Sequence, residues 1–324
     1  MQKVTTSPHI KQTDGISLVM LDVIIALIPT GLASIFFFGV KALILILTTV
    51  ASCVLAEYLW CRIFKLPITT GDLSAVVTGL LLAYSLPPEL PLWIAIIGGV
   101  FAIIVVKQLF GGLGQNFMNP ALCGRAFLMA SWPAFMTAWT SPSLFGKDAI
   151  STATPLAILS TGDATQLPTV FDMFFGNTSG CLGETSAAMI ILGGLYLLIR
   201  KVIPWRIPLF YILTSFVFGV LFAGSGLTQN IEISTIHIMT GGLLLGAIFM
   251  ATDYTTSPVT PLGHIIMGVG CGLITSLIRF FGGYAEGVTY AILIMNALTP
   301  LIDRYVRPRG FGHFSKRKEA ELNA

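Results

Sequence analysis

Residues 17–38 read SLVMLDVIIALIPTGLASIFFF, a stretch with a single ionisable side chain, Asp22. A helix needs ~20 predominantly apolar residues to cross the hydrocarbon of a bilayer, and this stretch is long enough. Working outward, further apolar segments follow at Ala42–Trp60, Leu73–Leu86, Leu92–Leu109 and Pro120–Phe135. A second set lies at Ala187–Ile203, Ile207–Ala223, His237–Ala251, Leu262–Phe280 and Val288–Ile302. The pattern predicts an all-α polytopic membrane protein of about ten transmembrane helices. The third, fifth and eighth segments are too short to span, and each contains or adjoins Gly or Pro. That predicts broken or re-entrant helices, whose backbone survives at membrane depth only when buried in protein or facing a cavity.

Composition agrees. The chain has 324 residues, 55% hydrophobic and 10% charged, with a mean hydropathy of +0.85. Soluble domains carry about 25% charged residues, so this chain cannot cover itself with a solvated surface. The net charge of +3 is small and the basic residues are unclustered, which excludes a nucleic-acid partner. Cys53, Cys61, Cys123, Cys181 and Cys271 form no C-x-x-C pair. An iron–sulfur cluster held by this chain alone is not expected. Residues 1–15 are polar and lack the apolar run of a signal peptide.

Charge sets the orientation. With the N-terminus inside, the inner face collects Lys3, Lys11, Arg62, Lys65, Lys107, Arg200, Lys201 and Arg206. It also collects Arg304, Arg307, Arg309, Lys316, Arg317 and Lys318, while the outer face receives only Lys41, Lys147 and Arg279. Fourteen against three is the positive-inside pattern, and it predicts both termini cytoplasmic; the membrane expected is a bacterial or archaeal cytoplasmic (inner) one. The loop 136–186, rich in Ser, Thr and Gly, then lies outside. Long loops of this kind are functional or disordered, and a functional one is expected here.

The halves echo each other. Thr78-Gly79-Leu80-Leu81-Leu82 resembles Thr240-Gly241-Gly242-Leu243-Leu244-Leu245, Phe110-Gly111-Gly112 resembles Phe281-Gly282-Gly283, and Asn119-Pro120 loosely matches Asn296 to Pro300. Five spans per half is an odd number, so the halves, 1–162 and 163–324, would be inverted repeats, an architecture that places sites at the repeat interface and at broken helices.

Within the outer loop stands Ser151-Thr152-Ala153-Thr154-Pro155-Leu156-Ala157. Thr followed by Pro reads as a helix N-cap and first position. The same hydroxyl could be esterified to the phosphate of FMN, the following helix N-terminus favouring the phosphate charge. The stretch Ser-Thr-Ala-Thr resembles the flavin-attachment motif of two related families: the D subunit of the Rnf ferredoxin:NAD+ oxidoreductase complex and the B subunit of the sodium-translocating NADH:quinone reductase. Similarity extends to Ser7-Pro8-His9, Leu21-Asp22-Val23, Ala26-Leu27-Ile28-Pro29, Gln115-Asn116-Phe117-Met118-Asn119-Pro120-Ala121 and Met250-Ala251-Thr252-Asp253. The compact length favours the Rnf type. Tyr254-Thr255-Thr256 departs from the Pro-Val-Ser of the relatives.

The resemblance implies covalent FMN on Thr154, with Ser151, Thr152 and Ala153 completing the recognition motif of a dedicated flavin transferase. It implies electrons arriving from another covalent-FMN subunit and leaving toward an NAD-binding subunit, among other membrane and peripheral subunits of the complex, with Na+ or H+ translocated. A second, non-covalent flavin such as riboflavin is expected near the loops of Asn119 and Asp253.

Ionisable groups at membrane depth are functional candidates. Asp22 and Glu57 read as interfacial. Arg125 either snorkels to the inner surface or bonds a flavin oxygen. Asp253, with Thr252 and Thr255, would hold a cation, a flavin edge or a helix cap. His237 reads as interfacial, and Phe36–Phe38, Phe280 and Phe281 as lipid-facing or core. The competing functions are a cofactor-free solute transporter or channel of the same architecture, and a scaffold for other membrane subunits. Neither uses the Thr154 motif.

Overall fold

A computed structural model describes residues 15–142, 152–161, 167–223, 226–282 and 286–306. The chain is an all-helical membrane protein, with no β-strand among the described residues. Helices α1 (Ile16–Phe38) and α2 (Val40–Ile63) are each long and apolar enough to cross a bilayer. They reverse at Gly39, whose φ of 73° suits a residue without a Cβ.

Helix α3 (Ser74–Tyr84) is only 11 residues long and starts from a left-handed Leu73, φ 64°, after a 3-10 turn at Thr70–Asp72. Helix α4 (Leu92–Phe101) continues as a π segment, Ala102–Gln108. Helix α5 (Pro120–Ser131) is capped by Asn119, whose side chain accepts from the N–H groups of Ala121 and Leu122. The short helices α6 (Pro133–Met136), α7 (Pro155–Thr161) and α8 (Val170–Phe175) follow α5, the last two within the long loop.

The second half runs through α9 (Ala187–Ile199), α10 (Arg206–Phe222), α11 (Leu227–Met239), α12 (Leu243–Leu245), α13 (Pro261–Phe281) and α14 (Val288–Tyr305). Helix α12 continues as a π segment, Gly246–Met250. Helix α13 also meets the length and hydropathy of a span, and α11 with α12 makes a pair bent by 62°. The bend falls at Gly241 and Gly242, both near φ +65°.

The eighth helix differs from the expected His237–Ala251. Helix α11 begins at Leu227 and ends just after His237. Thr228, Gln229, Asn230 and Glu232 hide its start from a hydropathy reading. Packing on α10 holds it instead: Asn230 Nδ2 donates to the Val220 carbonyl at 2.9 Å, and Ser234 lies against Gly219.

Small residues bring the helices together, as expected where lipid tails are as apolar as the side chains. Gly193 of α9 lies on the Ala26 carbonyl of α1, Gly99 of α4 on Ser52 of α2, and Gly272 of α13 on the backbone of α10 at Tyr211. Helices α3 and α12 occupy the middle; every residue from Leu243 to Met250 is buried. The long helices turn apolar side chains outward, among them Leu32, Leu47, Leu55 and Leu221.

The sequence echoes do not all fall on equivalent places. Thr78 lies inside α3, whereas Thr240 precedes α12; the left-handed starts of the two half-helices are Leu73 and Gly242. Asn119 caps α5 while Asn296 sits mid-way along α14. The two touch, the Asn296 amide oxygen accepting from the Asn119 N–H at 3.1 Å.

Candidate functional site

Thr154 is buried, 6% exposed. Its Oγ1 accepts from the Ala157 N–H at 3.2 Å and its carbonyl from the Ile158 N–H at 3.0 Å, so it caps α7. The same residue lines a cleft of about 260 Å³ with Ser179, Glu184, Thr240, Gly241 and Glu286. Two hydrogen bonds seat the motif: Ser179 Oγ donates to the Ala153 carbonyl at 2.9 Å, and the Thr152 N–H to the Trp139 carbonyl at 3.2 Å. Leu156 is buried against Gly241. Thr152 and Ala153 are exposed, and Ser151 lies outside the described residues.

Beside this cleft Arg125 is buried and bonded. It donates to Glu184 Oε1 at 3.2 Å, to Cys181 Sγ at 3.4 Å and to Glu286 Oε2. The guanidinium is therefore held among these groups rather than snorkelling to the inner surface. The ligand atoms of Cys181, Glu184 and Glu286 lie within 4.8 Å of one another, and Arg125 supplies the positive charge among them. A second guanidinium, Arg279, donates to the carbonyls of Thr240 at 3.1 Å and Gly241 at 2.8 Å, and to that of His237. It closes the C-terminal end of α11, where a cation is favoured. Two carboxylates thus face two guanidinium groups. Burial, reinforced by the neighbouring Glu286 charge, holds the Glu184 carboxyl up at about 7 against the pull of Arg125.

At the other end of α12 lies a second, larger cavity, open on one side. Val19, Val23, Leu81, Leu197 and Phe249 wall it, and Ser74, Lys107, Asn116, Asn119, Asp253 and Thr255 supply its polar groups. Asn119 Nδ2 donates to the Met250 carbonyl at 3.2 Å, and Asn116 Nδ2 to Thr255 Oγ1 at 3.2 Å. Asp253 accepts from Thr255 Oγ1 at 3.0 Å and Thr256 Oγ1 at 3.4 Å. The loops of Asn119 and Asp253, distant in sequence, are one wall.

Both half-helices join the two places, in opposite directions. Helix α12 starts beside Gly241 in the Thr154 cleft and ends at Phe249 in the cavity. Helix α3 starts at Ser74 in the cavity. Just past its end, Cys181 Sγ donates to the Ser85 carbonyl at 3.1 Å, and the Gly183 N–H donates to the Tyr84 carbonyl at 2.8 Å. Leu243–Met250 at 1.5 Å per residue span ~12 Å. Each place therefore faces the N-terminus of one half-helix, the end that favours negative charge.

Several features escaped sequence reading. Glu57 is fully buried, 2.9 Å from the buried Lys107. Asp22, also expected at the interface, is buried between α1 and α9, accepting from Tyr196 OH at 2.8 Å and Arg200 Nη2 at 3.0 Å. Glu184 and Glu286 were not singled out at all. The available signal was opposite charges standing inside apolar runs, Glu57 and Lys107 above all. His237 is buried against the Phe280 ring, 4.7 Å between centroids.

Comparison with known proteins follows this geometry. A family model described as the NQR2, RnfD, RnfE family matches residues 3–312. The D subunit of the Na+-translocating ferredoxin:NAD+ oxidoreductase complex of Acetobacterium woodii is 48% identical, with 98% of each chain covered. The proton-translocating counterpart of Clostridium ljungdahlii is 45% identical over 95% of this chain and 96% of its own. The D subunit of the ion-translocating oxidoreductase complex of Stutzerimonas stutzeri is 39% identical, with 93% of each covered. With similarity running the length of the chain and through both the Thr154 cleft and the Asn119 cavity, this protein belongs to the NQR2, RnfD, RnfE family.

Proposed function

We propose that this chain is a membrane electron-transfer subunit of an ion-translocating ferredoxin:NAD+ oxidoreductase complex, with FMN esterified to Thr154 and a second, non-covalent flavin in the Asn119 cavity. Near full-length similarity to relatives bearing the names of such subunits supports the assignment to a complex. One observation carries the cofactor reading: Thr154 stands on a cleft at one end of α12, and a cavity with apolar walls and the polar groups of Asn116, Asn119, Lys107 and Asp253 opens at the other. Thr152 and Ala153 are exposed beside it, as recognition by a flavin transferase requires. The paired carboxylates and guanidinium groups leave no excess negative charge to repel a phosphodiester. When bound, the flavins supply one-electron transfer; the protein supplies position and electrostatics. Partners are the other subunits, including a covalent-FMN subunit and an NAD-binding subunit.

The architecture belongs to the same proposal: ten spans in two inverted five-helix repeats, 1–162 and 163–324, both termini cytoplasmic and the Thr154 cleft external. Support comes from reciprocal packing. Helix α1 packs on α9 and α5 on α14, while α2 with α4 in one half parallels α10 with α13 in the other. The antiparallel half-helices α3 and α12 fit the same symmetry. A cofactor-free transporter shares the architecture but leaves Thr154 without a role.

Inverted membrane vesicles test this. Ferredoxin-dependent NAD+ reduction and its accompanying ion uptake are lost on deleting the chain, regained with wild type and not regained with Thr154→Ala. Wild-type rates without the chain would contradict the complex assignment; wild-type rates with Thr154→Ala would contradict the cofactor reading.

A further inference from the structure

Lys107 lies near the end of the π segment of α4 at 2% exposure, the kind of widened turn that recurs at functional sites. Its ammonium has three N–H groups. One donates to Glu57 Oε2 at 2.9 Å and one to Ser74 Oγ at 2.6 Å. The third has no acceptor among the described residues, and Lys107 lines the Asn119 cavity. Away from the cavity the contacts continue. Ser74 Oγ donates to Asp72 Oδ1 at 2.5 Å, and Asp72 closes the turn beside exposed Gly71. Glu57 Oε1 accepts from exposed Thr69 at 2.6 Å. A buried charge pair needs only its partner; here hydroxyl groups lead from it to a surface loop, and one donor is kept for the cavity.

We propose that Lys107 is the proton donor to the flavin of the Asn119 cavity, reloaded from the cytoplasmic face through Ser74 and Asp72. The inference rests on the flavin reading of that cavity. For each electron arriving from a reduced flavin of a partner subunit, one N–H bond of Lys107 breaks and its proton passes to the cofactor. Lys107, left as a neutral amine beside the Glu57 carboxylate, takes a proton from Ser74 Oγ. Ser74 is refilled through Asp72, which takes its proton from hydronium in the cytoplasmic solvent, so one bulk proton is consumed per electron. The donor flavin loses one electron, the acceptor gains one electron and one proton, and the protein ends unchanged. Titratable groups around Lys107 are Glu57 and Cys53 on α2, Asp72 ahead of α3 and Asp253 across the cavity.

The test uses the intact complex. Acid-extractable flavin is counted first, then the complex is mixed with NADH in a stopped-flow instrument, following flavin absorbance and proton uptake with a pH indicator. Wild type takes up protons in step with flavin reduction. Lys107→Arg keeps the charge but cannot release a proton at neutral pH; in the flavin-loaded complex it slows proton uptake tenfold or more relative to electron arrival. Asp72→Asn, remote from the cavity, does the same. Wild-type proton uptake in Lys107→Arg with flavin bound overturns the proposal while leaving the cavity reading intact. Absence of extractable flavin from wild type overturns both. If Lys107→Arg loses its flavin or fails to fold, Asp72→Asn decides, and unchanged uptake there overturns the proposal.

Discussion

Removing the carboxylate of Glu57 leaves Lys107 buried without its counter-charge. Breaking such a pair costs about 3–5 kcal/mol, whereas replacing both partners by apolar residues is close to neutral. Glu57→Ala is therefore expected to lower the detergent unfolding midpoint strongly, and the double variant Glu57→Leu with Lys107→Met to restore most of it; equal losses in both would refute the pairing. Glu184 sets a pH dependence. Its folded carboxyl titrates at about 7 against an ordinary 4.5, so the native state holds the extra proton between these values. Stability is full below the lower value and declines as pH rises through about 7. Thermal midpoints of wild type should fall over that window, and Glu184→Gln should flatten the decline. Thr154 was legible because a Thr-Pro pair in a polar loop is a local signal. Arg125 was legible as a buried charge, but its partners were not: Glu184 stands 59 and Glu286 161 residues away, and no local pattern joins them.

At the scale of elements, the half-helices carry a paired experiment. Leu73 at φ 64° and Gly242 at φ 65° both start a half-helix from the left-handed region, which costs an L side chain about 1–2 kcal/mol. Leu73→Gly is expected to preserve or raise the unfolding midpoint. Gly242→Leu should lower it and the yield of folded protein, because its Cβ would meet the Glu184 carboxylate. Equal tolerance at the two positions would contradict this account of the breaks. The shortness of Leu73–Leu86 and the Gly-Gly of the eighth segment announced both breaks, since length and backbone freedom are local properties. The start of α11 stayed hidden because Asn230 and Glu232 read as loop until Asn230 is bonded to α10. The kinship of Asn119 with Asn296 misled for the opposite reason: the two residues are neighbours in space, and similarity of short motifs does not distinguish contact from equivalence.

For the whole molecule, composition decided the solvent: with 10% charge, the apolar exterior of α1, α2 and α13 has nowhere to lie but in lipid. What composition could not supply is the arrangement of two antiparallel half-helices between a cleft that holds Thr154 and a cavity that holds Asn119, Lys107 and Asp253. The proposed function places a redox group at each end of it. Intact-mass measurement of the chain, purified from cells expressing a flavin transferase and denatured, tests this most directly. The account predicts a mass higher by one FMN less one water, with flavin fluorescence that survives denaturation, and neither in Thr154→Ala. A bare wild-type chain from a fully active complex, or a flavin retained by Thr154→Ala, would contradict it.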